Sequence, residues 1–84
     1  MSELRALHNV GKVLEGHLLR VGIETPEQLR SIGAEVAFIR IRKQVDSCAC
    51  LHMLYGIQGA IDNMPDKVLP DNTKKKLRQF YETL

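Results

Sequence analysis

Leu7-His8-Asn9-Val10-Gly11-Lys12-Val13-Leu14-Glu15 is the stretch that decides the fold. Its frame, Leu7-x-x-Val10-Gly11, returns 22 residues later as Leu29-x-x-Ile32-Gly33. Each copy sets an apolar residue before a glycine, and each glycine is expected to open a helix. Leu14, Leu18, Gly22 and Thr25-Pro26 follow the first copy. That order is the layout of a helix-hairpin-helix. A tight hairpin leaves backbone N–H groups unpaired at a helix start, and such amides suit an anion, often a nucleic-acid phosphate.

Working outward, Ser2 to Leu7 reads as a short leading helix and His8-Asn9-Val10 as the hairpin turn. Gly11 to about Arg20 is the next helix, with Leu14 and Leu18 on one face and Val21 continuing it. Gly22 stops it, as glycine does at many helix ends, and Ile23 packs inward. Thr25 is a good N-cap, Pro26 suits the first helical position, and Gln28 can complete a capping box. Gly33 ends that helix and begins another. In the new helix Ala34, Ala37, Phe38, Ile41 and Val45 follow helical spacing, while Val36 and Ile39 lie off the stripe, so two sides are expected to be covered.

Asp46 or Ser47 can cap a central helix from Cys48 to Asn63. Apolar residues point in nearly every direction there, and the 15 residues from Ser47 to Ile61 carry no fixed charge. Such a helix is normally buried. Gly56, Gly59 and Ala60 make a small face where another helix can approach closely. Asn63-Met64-Pro65-Asp66 is a loop. Pro70 is expected to start the last helix, with Leu77, Phe80, Tyr81 and Leu84 as its buried stripe. No segment shows useful β alternation. The expected fold is all-α, a compact bundle of five or six short helices in one domain over residues 1–84, without linker or second domain.

Composition bounds the function. Hydrophobic residues at 44% and charged residues at 26% fit a globular chain rather than a disordered one. With no tryptophan and only Phe38, Tyr55, Phe80 and Tyr81 as aromatics, aliphatic side chains must build the core, and single-strand stacking is disfavoured. A net charge of +2 is far below that of a DNA-wrapping protein and permits only local basic patches. No signal peptide or membrane span is visible, which points to the cytoplasm.

Cys48 and Cys50 lack the spacing of a zinc or redox motif and are expected to be small buried thiols. Cys48 and His52, at i and i+4, would supply only two ligands, and a structural zinc needs about four. No metal or other cofactor is expected. His8 reads as a turn residue and His17 as a helix-surface residue. No nucleophile stands with a base and an orienter, there is no paired carboxylate, and no glycine loop cradles phosphate beside a lysine, so the chain reads as no enzyme. Tyr55 reads as core, with its hydroxyl bonded to a loop carbonyl.

Leu7 to Glu15, then Leu18, Val21-Gly22-Ile23, Thr25 and Leu29, resemble the C-terminal domain of TfoX/Sxy-type competence regulators. So do Gly33-Ala34-Glu35-Val36-Ala37-Phe38 with Arg40 and Arg42, Leu51-x-x-Leu54-Tyr55-x-x-x-Gly59-Ala60-Ile61, and the ending from Leu69-Pro70 to Lys76-Leu77 and Phe80-Tyr81. The resemblance spans almost the whole chain. It implies a fold similar to helix-hairpin-helix and SAM-like domains and a role in bacterial transcriptional control of DNA uptake. In the fuller proteins this domain follows a separate N-terminal one. The hairpin has Asn9 where the usual DNA-binding loop has glycine, and His8 where proline is common; asparagine tolerates left-handed backbone angles.

The expected function is therefore that of a regulatory binding module. Asn9, Val10, Gly11 and Lys12 would meet phosphate. Arg40, Arg42 and Lys43, with Lys74, Lys75 and Lys76, would add electrostatic attraction. The partner would be DNA, bound weakly and without sequence preference, or a DNA-bound protein of the transcription machinery. The alternative is a protein-interaction or self-associating module, with Val36 and Ile39 as an exposed apolar patch.

Overall fold

Helix starts and stops in this chain are written by local hydrogen bonds. A computed structural model describes residues 3–84. Among them lie a 3₁₀ turn at Glu3–Ala6 and five α-helices: α1 (Lys12–Arg20), α2 (Pro26–Ile32), α3 (Ala34–Gln44), α4 (Leu51–Asp62) and α5 (Asp71–Glu82). A second 3₁₀ turn, Asp66–Val68, joins the last two, and no strand occurs among the described residues. The fold is all-α, as expected. Ser2, the first residue of the expected leading helix, lies outside the described residues.

Helix α1 ends in a Schellman motif. Gly22 takes φ +85°, its amide donates to Leu19 O at 3.1 Å, and Ile23 N donates to Leu18 O at 2.9 Å. Leu18 and Ile23, the apolar pair that accompanies this motif, are both fully buried. Helix α2 opens with the expected cap: Gln28 N donates to Thr25 Oγ1 at 3.1 Å, and Gln28 Oε1 accepts from Glu24 N at 2.6 Å. The glutamine reaches one residue further back than a standard capping box. Gly33, at φ +89°, serves as the C-cap of α2 and the N-cap of α3.

Helix α3 packs most extensively on α4, which also carries α5 on its flank. Leu4, Leu14, Leu18, Ile23, Leu29, Ala37, Phe38, Ile41, Leu54, Ile57, Ala60 and Leu77 form one buried core from every helix. Burial of this aliphatic set is the main force holding the elements together. Phe38, the largest fully buried side chain, is tilted against Tyr81 with ring centroids 5.9 Å apart.

Several expectations are corrected. The central helix begins at Leu51, not Cys48. Asp46 Oδ1 accepts from Cys48 N at 3.0 Å, a turn in which a side chain competes with helical pairing. Cys48 and Cys50 are therefore off the helix and exposed, while Ala49 between them is buried. Cys48 and His52 share no helix face. Val36 is exposed and Ile39 half-buried, so α3 is covered on one side only. Leu84 is exposed rather than part of the α5 stripe, and Pro70 is the N-cap of α5, not its first residue. His17 is mostly buried, with Nε2 3.9 Å from Asp46 Oδ2. The Tyr55 hydroxyl donates to the carbonyl of Lys74, inside α5, at 3.4 Å.

Candidate functional site

The hairpin is turned by Asn9, not by Gly11. Asn9 stands at φ +68°, in the left-handed region, whereas Gly11 has φ −96° and ψ −170°, extended backbone open to any residue. A Cβ on Gly11 would meet nothing within 4 Å. The Asn9 side chain is fully employed: Nδ2 donates to Gly56 O at 3.3 Å and Met64 O at 3.1 Å, and Oδ1 accepts from Asp66 N at 3.1 Å. The small face of α4 thus receives this amide and the Met64 carbonyl rather than another helix. A Cβ on Gly59 would lie 2.7 Å from Met64 O.

Val10 points inward and its amide donates to Leu7 O at 3.4 Å. Gly11 and Lys12 are exposed, and among the described residues their amides have no hydrogen-bond partner. Gly11 is the N-cap of α1 and supplies no side-chain cap; Cys50, the N-cap of α4, supplies none either. Both helix starts line one cleft of about 600 Å³, with Lys12 and Val13 on the α1 side and His52 and Met53 on the α4 side. His52 Nε2 lies 3.3 Å from Asp66 Oδ2 at the edge of this cleft. Two uncapped helix starts and Lys12 bring positive charge to the cleft, and the Asp66 carboxylate in the same lining offsets part of it.

The other basic residues stand elsewhere. None of Arg40, Arg42, Lys43, Lys74, Lys75 and Lys76 lines the hairpin cleft. Arg40 and Arg42 are two apart on α3 and project about 200° from each other, so they form no common patch. The Arg42 guanidinium sits over the Tyr81 ring, 5.4 Å from its centroid. Lys43 is exposed. Lys74 and Lys75 line a second cleft with Arg78 and Tyr55, and Lys76, about 200° round α5 from Lys74, stays outside it. No group of three or more metal-ligating side chains gathers among the described residues.

The profile of the TfoX C-terminal domain matches residues 1–81. The chain belongs to this family. Protein Sxy of Escherichia coli K12 is 31% identical over 81 residues, which are 96% of this chain and 38% of that protein. The chain therefore spans well under half of that relative. Two crystal structures of Listeria monocytogenes proteins share the fold. An uncharacterized protein in a triclinic form superimposes with TM-score 0.92 at 38% identity, covering 95% of this chain and 90% of that one. A protein of unknown function in a tetragonal form gives TM-score 0.90 at 37% identity, covering 94% and 96%.

Within this TfoX-type domain, sequence reasoning locates the hairpin and misassigns its parts. It places the turn at His8-Asn9-Val10, where Asn9 carries it, but counts Asn9 as a phosphate contact although its side chain is bonded to Gly56, Met64 and Asp66. It groups Arg78 with Lys74, Lys75 and Lys76 but does not place His52 and Asp66 at the first cleft or Tyr55 at the second. The readable signal for Asn9 is the Gly56-x-x-Gly59 spacing, which announces a close approach to α4 without saying by what.

Proposed function

We propose that this domain is a cytoplasmic, non-enzymatic regulatory module of the Sxy type that grips a nucleic-acid phosphate at its hairpin cleft. The observation that carries the reading is the meeting of two uncapped helix starts and Lys12 on one cleft. The amides of Gly11 and Lys12 would donate to the phosphate, and the Lys12 ammonium would add charge. Asn9 and Val10 act through shape: one fixes the turn and the other anchors it in the core. Arg40, Arg42 and Lys43 supply long-range attraction, which requires no shared patch. Family membership supports a role in competence-type regulation, through DNA or a DNA-bound protein.

The test is fluorescence anisotropy with labelled duplex DNA at low and moderate salt, on the wild type and Lys12→Glu. Affinity should fall as salt rises and should be lost in the variant. Binding that ignores both salt and Lys12, or no binding at low salt, rejects the proposal.

One observation favours a second reading. Val36 is 43% exposed on α3 beside the half-buried Ile39, and Val13 is 69% exposed at the cleft rim. A self-associating module would use them. A sedimentation series showing concentration-dependent dimers, abolished by Val36→Glu, would favour that reading over the first.

A further inference from the structure

Helix α5 breaks a rule of helix design between Lys74 and Arg78. Lys74 and Arg78 are i, i+4 and Lys75 and Arg78 are i, i+3, so three cations crowd one face. Like charges at these spacings destabilise a helix. Among the described residues none of the three is in an ion pair. They surround a cleft of about 410 Å³, whose remaining lining is Tyr55 of α4 and Asp71. Uncompensated local conflict of this kind marks functional places more often than structural ones.

From this we infer that the α4–α5 cleft binds a phosphate group, carried by a nucleic-acid strand or by a small phosphoanion. Charge selects the ligand class. Three cations less the single carboxylate of Asp71 leave a local charge of +2, which a phosphate monoester, a pyrophosphate or two successive strand diesters balance and a lone carboxylate does not. Arg78 offers the planar fork that pairs two phosphate oxygens, and Lys74 and Lys75 act as point charges beside it. Tyr55 is a wall rather than a donor, since its hydroxyl is already committed to the Lys74 carbonyl at 3.4 Å. Its half-buried ring excludes water from one side and strengthens the field of the cations. The volume leaves room for more than one phosphate. This cleft shares no lining residue with the hairpin cleft, so the two proposals fail separately.

The control is built into the helix. Lys76 carries the same charge, two residues from Lys74, yet lies outside the cleft. Titrating the full chain with inorganic pyrophosphate, followed by amide shifts and calorimetry, should move the signals of Tyr55 and of residues 71–78. Lys74→Gln and Arg78→Gln should each weaken binding roughly fivefold or more, and Lys76→Gln less than about twofold. Melting temperatures should match the wild type for Lys76→Gln and equal or slightly exceed it for Lys74→Gln and Arg78→Gln, since these side chains are outside the core and the latter two variants relieve a like-charge pair. A duplex-DNA arm separates the sources. Cleft-dependent losses for both probes assign a strand phosphate, and losses for pyrophosphate alone assign a small phosphoanion. Equal losses for Lys76→Gln and Arg78→Gln, or no binding of either probe, overturn the inference. Duplex binding indifferent to Lys12→Glu but weakened by Arg78→Gln would reject the hairpin reading and keep this one.

Discussion

The Asn9 side-chain amide donates to the carbonyl of Met64 at 3.1 Å, tying the first hairpin of the chain to the loop that follows the central helix. With its bonds to Gly56 O and Asp66 N, this one residue holds three segments together. Each such bond contributes on the order of 1 kcal/mol. Asn9→Gly keeps the left-handed turn and loses the three bonds, so it should destabilise by about 3 kcal/mol. Asn9→Ala also meets the penalty for positive φ and should lose about 1 kcal/mol more. Urea unfolding midpoints read the difference; two near-neutral variants would show that the turn does not depend on this side chain.

Gly56 and Gly59 should respond oppositely to alanine. At Gly56 a Cβ meets only Asn9 Cβ at 3.6 Å, an ordinary contact, and alanine favours helix by about 1 kcal/mol. Gly56→Ala should therefore be neutral or mildly stabilising. At Gly59 the added carbon would press on the Asn9 amide and stand 2.7 Å from Met64 O, so Gly59→Ala should cost about 2 kcal/mol. Thermal melts of the pair check the contrast, and equal melting temperatures would contradict it.

Gly11→Asp should separate stability from binding. The residue is an N-cap in extended backbone with open space around its Cβ. An aspartate there can accept from an exposed amide of the first turn and should stabilise by roughly 0.5 kcal/mol. The same carboxylate would occupy and repel the proposed phosphate position. A variant that melts higher yet has lost salt-sensitive DNA binding is the expected result; unchanged binding would remove the hairpin amides from the interface.

Both thiols should react in the folded protein. Cys48 and Cys50 are exposed, so an aromatic disulfide reagent should titrate two thiols without denaturant. Thiols that react only after unfolding would contradict their placement in the turn before α4.

What is legible in the sequence is what a few neighbours decide. Thr25 and Gln28 cap α2 from within five residues, and Gly22 with Ile23 closes α1 against Leu18. The apolar spacing of Leu14, Leu18, Ala37, Phe38 and Ile41 is enough to place them in the core. The site is less legible, because its parts meet only in the fold. Asn9 bonds to residues 47, 55 and 57 positions away, and no local pattern encodes them. The cysteines are misplaced for a related reason: the Asp46 carboxylate takes the Cys48 amide and starts the helix later than apolar spacing suggests. In the run Lys74-Lys75-Lys76 only helical phase tells which lysine faces Tyr55, and the cation that completes that face is Arg78.

Chain order and assembly order need not agree in such a molecule. Residue 9 emerges early from a ribosome, yet its three partners arrive some fifty positions later. Closing so long a span is entropically slow compared with winding a helix. The first bend to be synthesised therefore acquires its final shape among the last, once the middle of the polypeptide has folded against it.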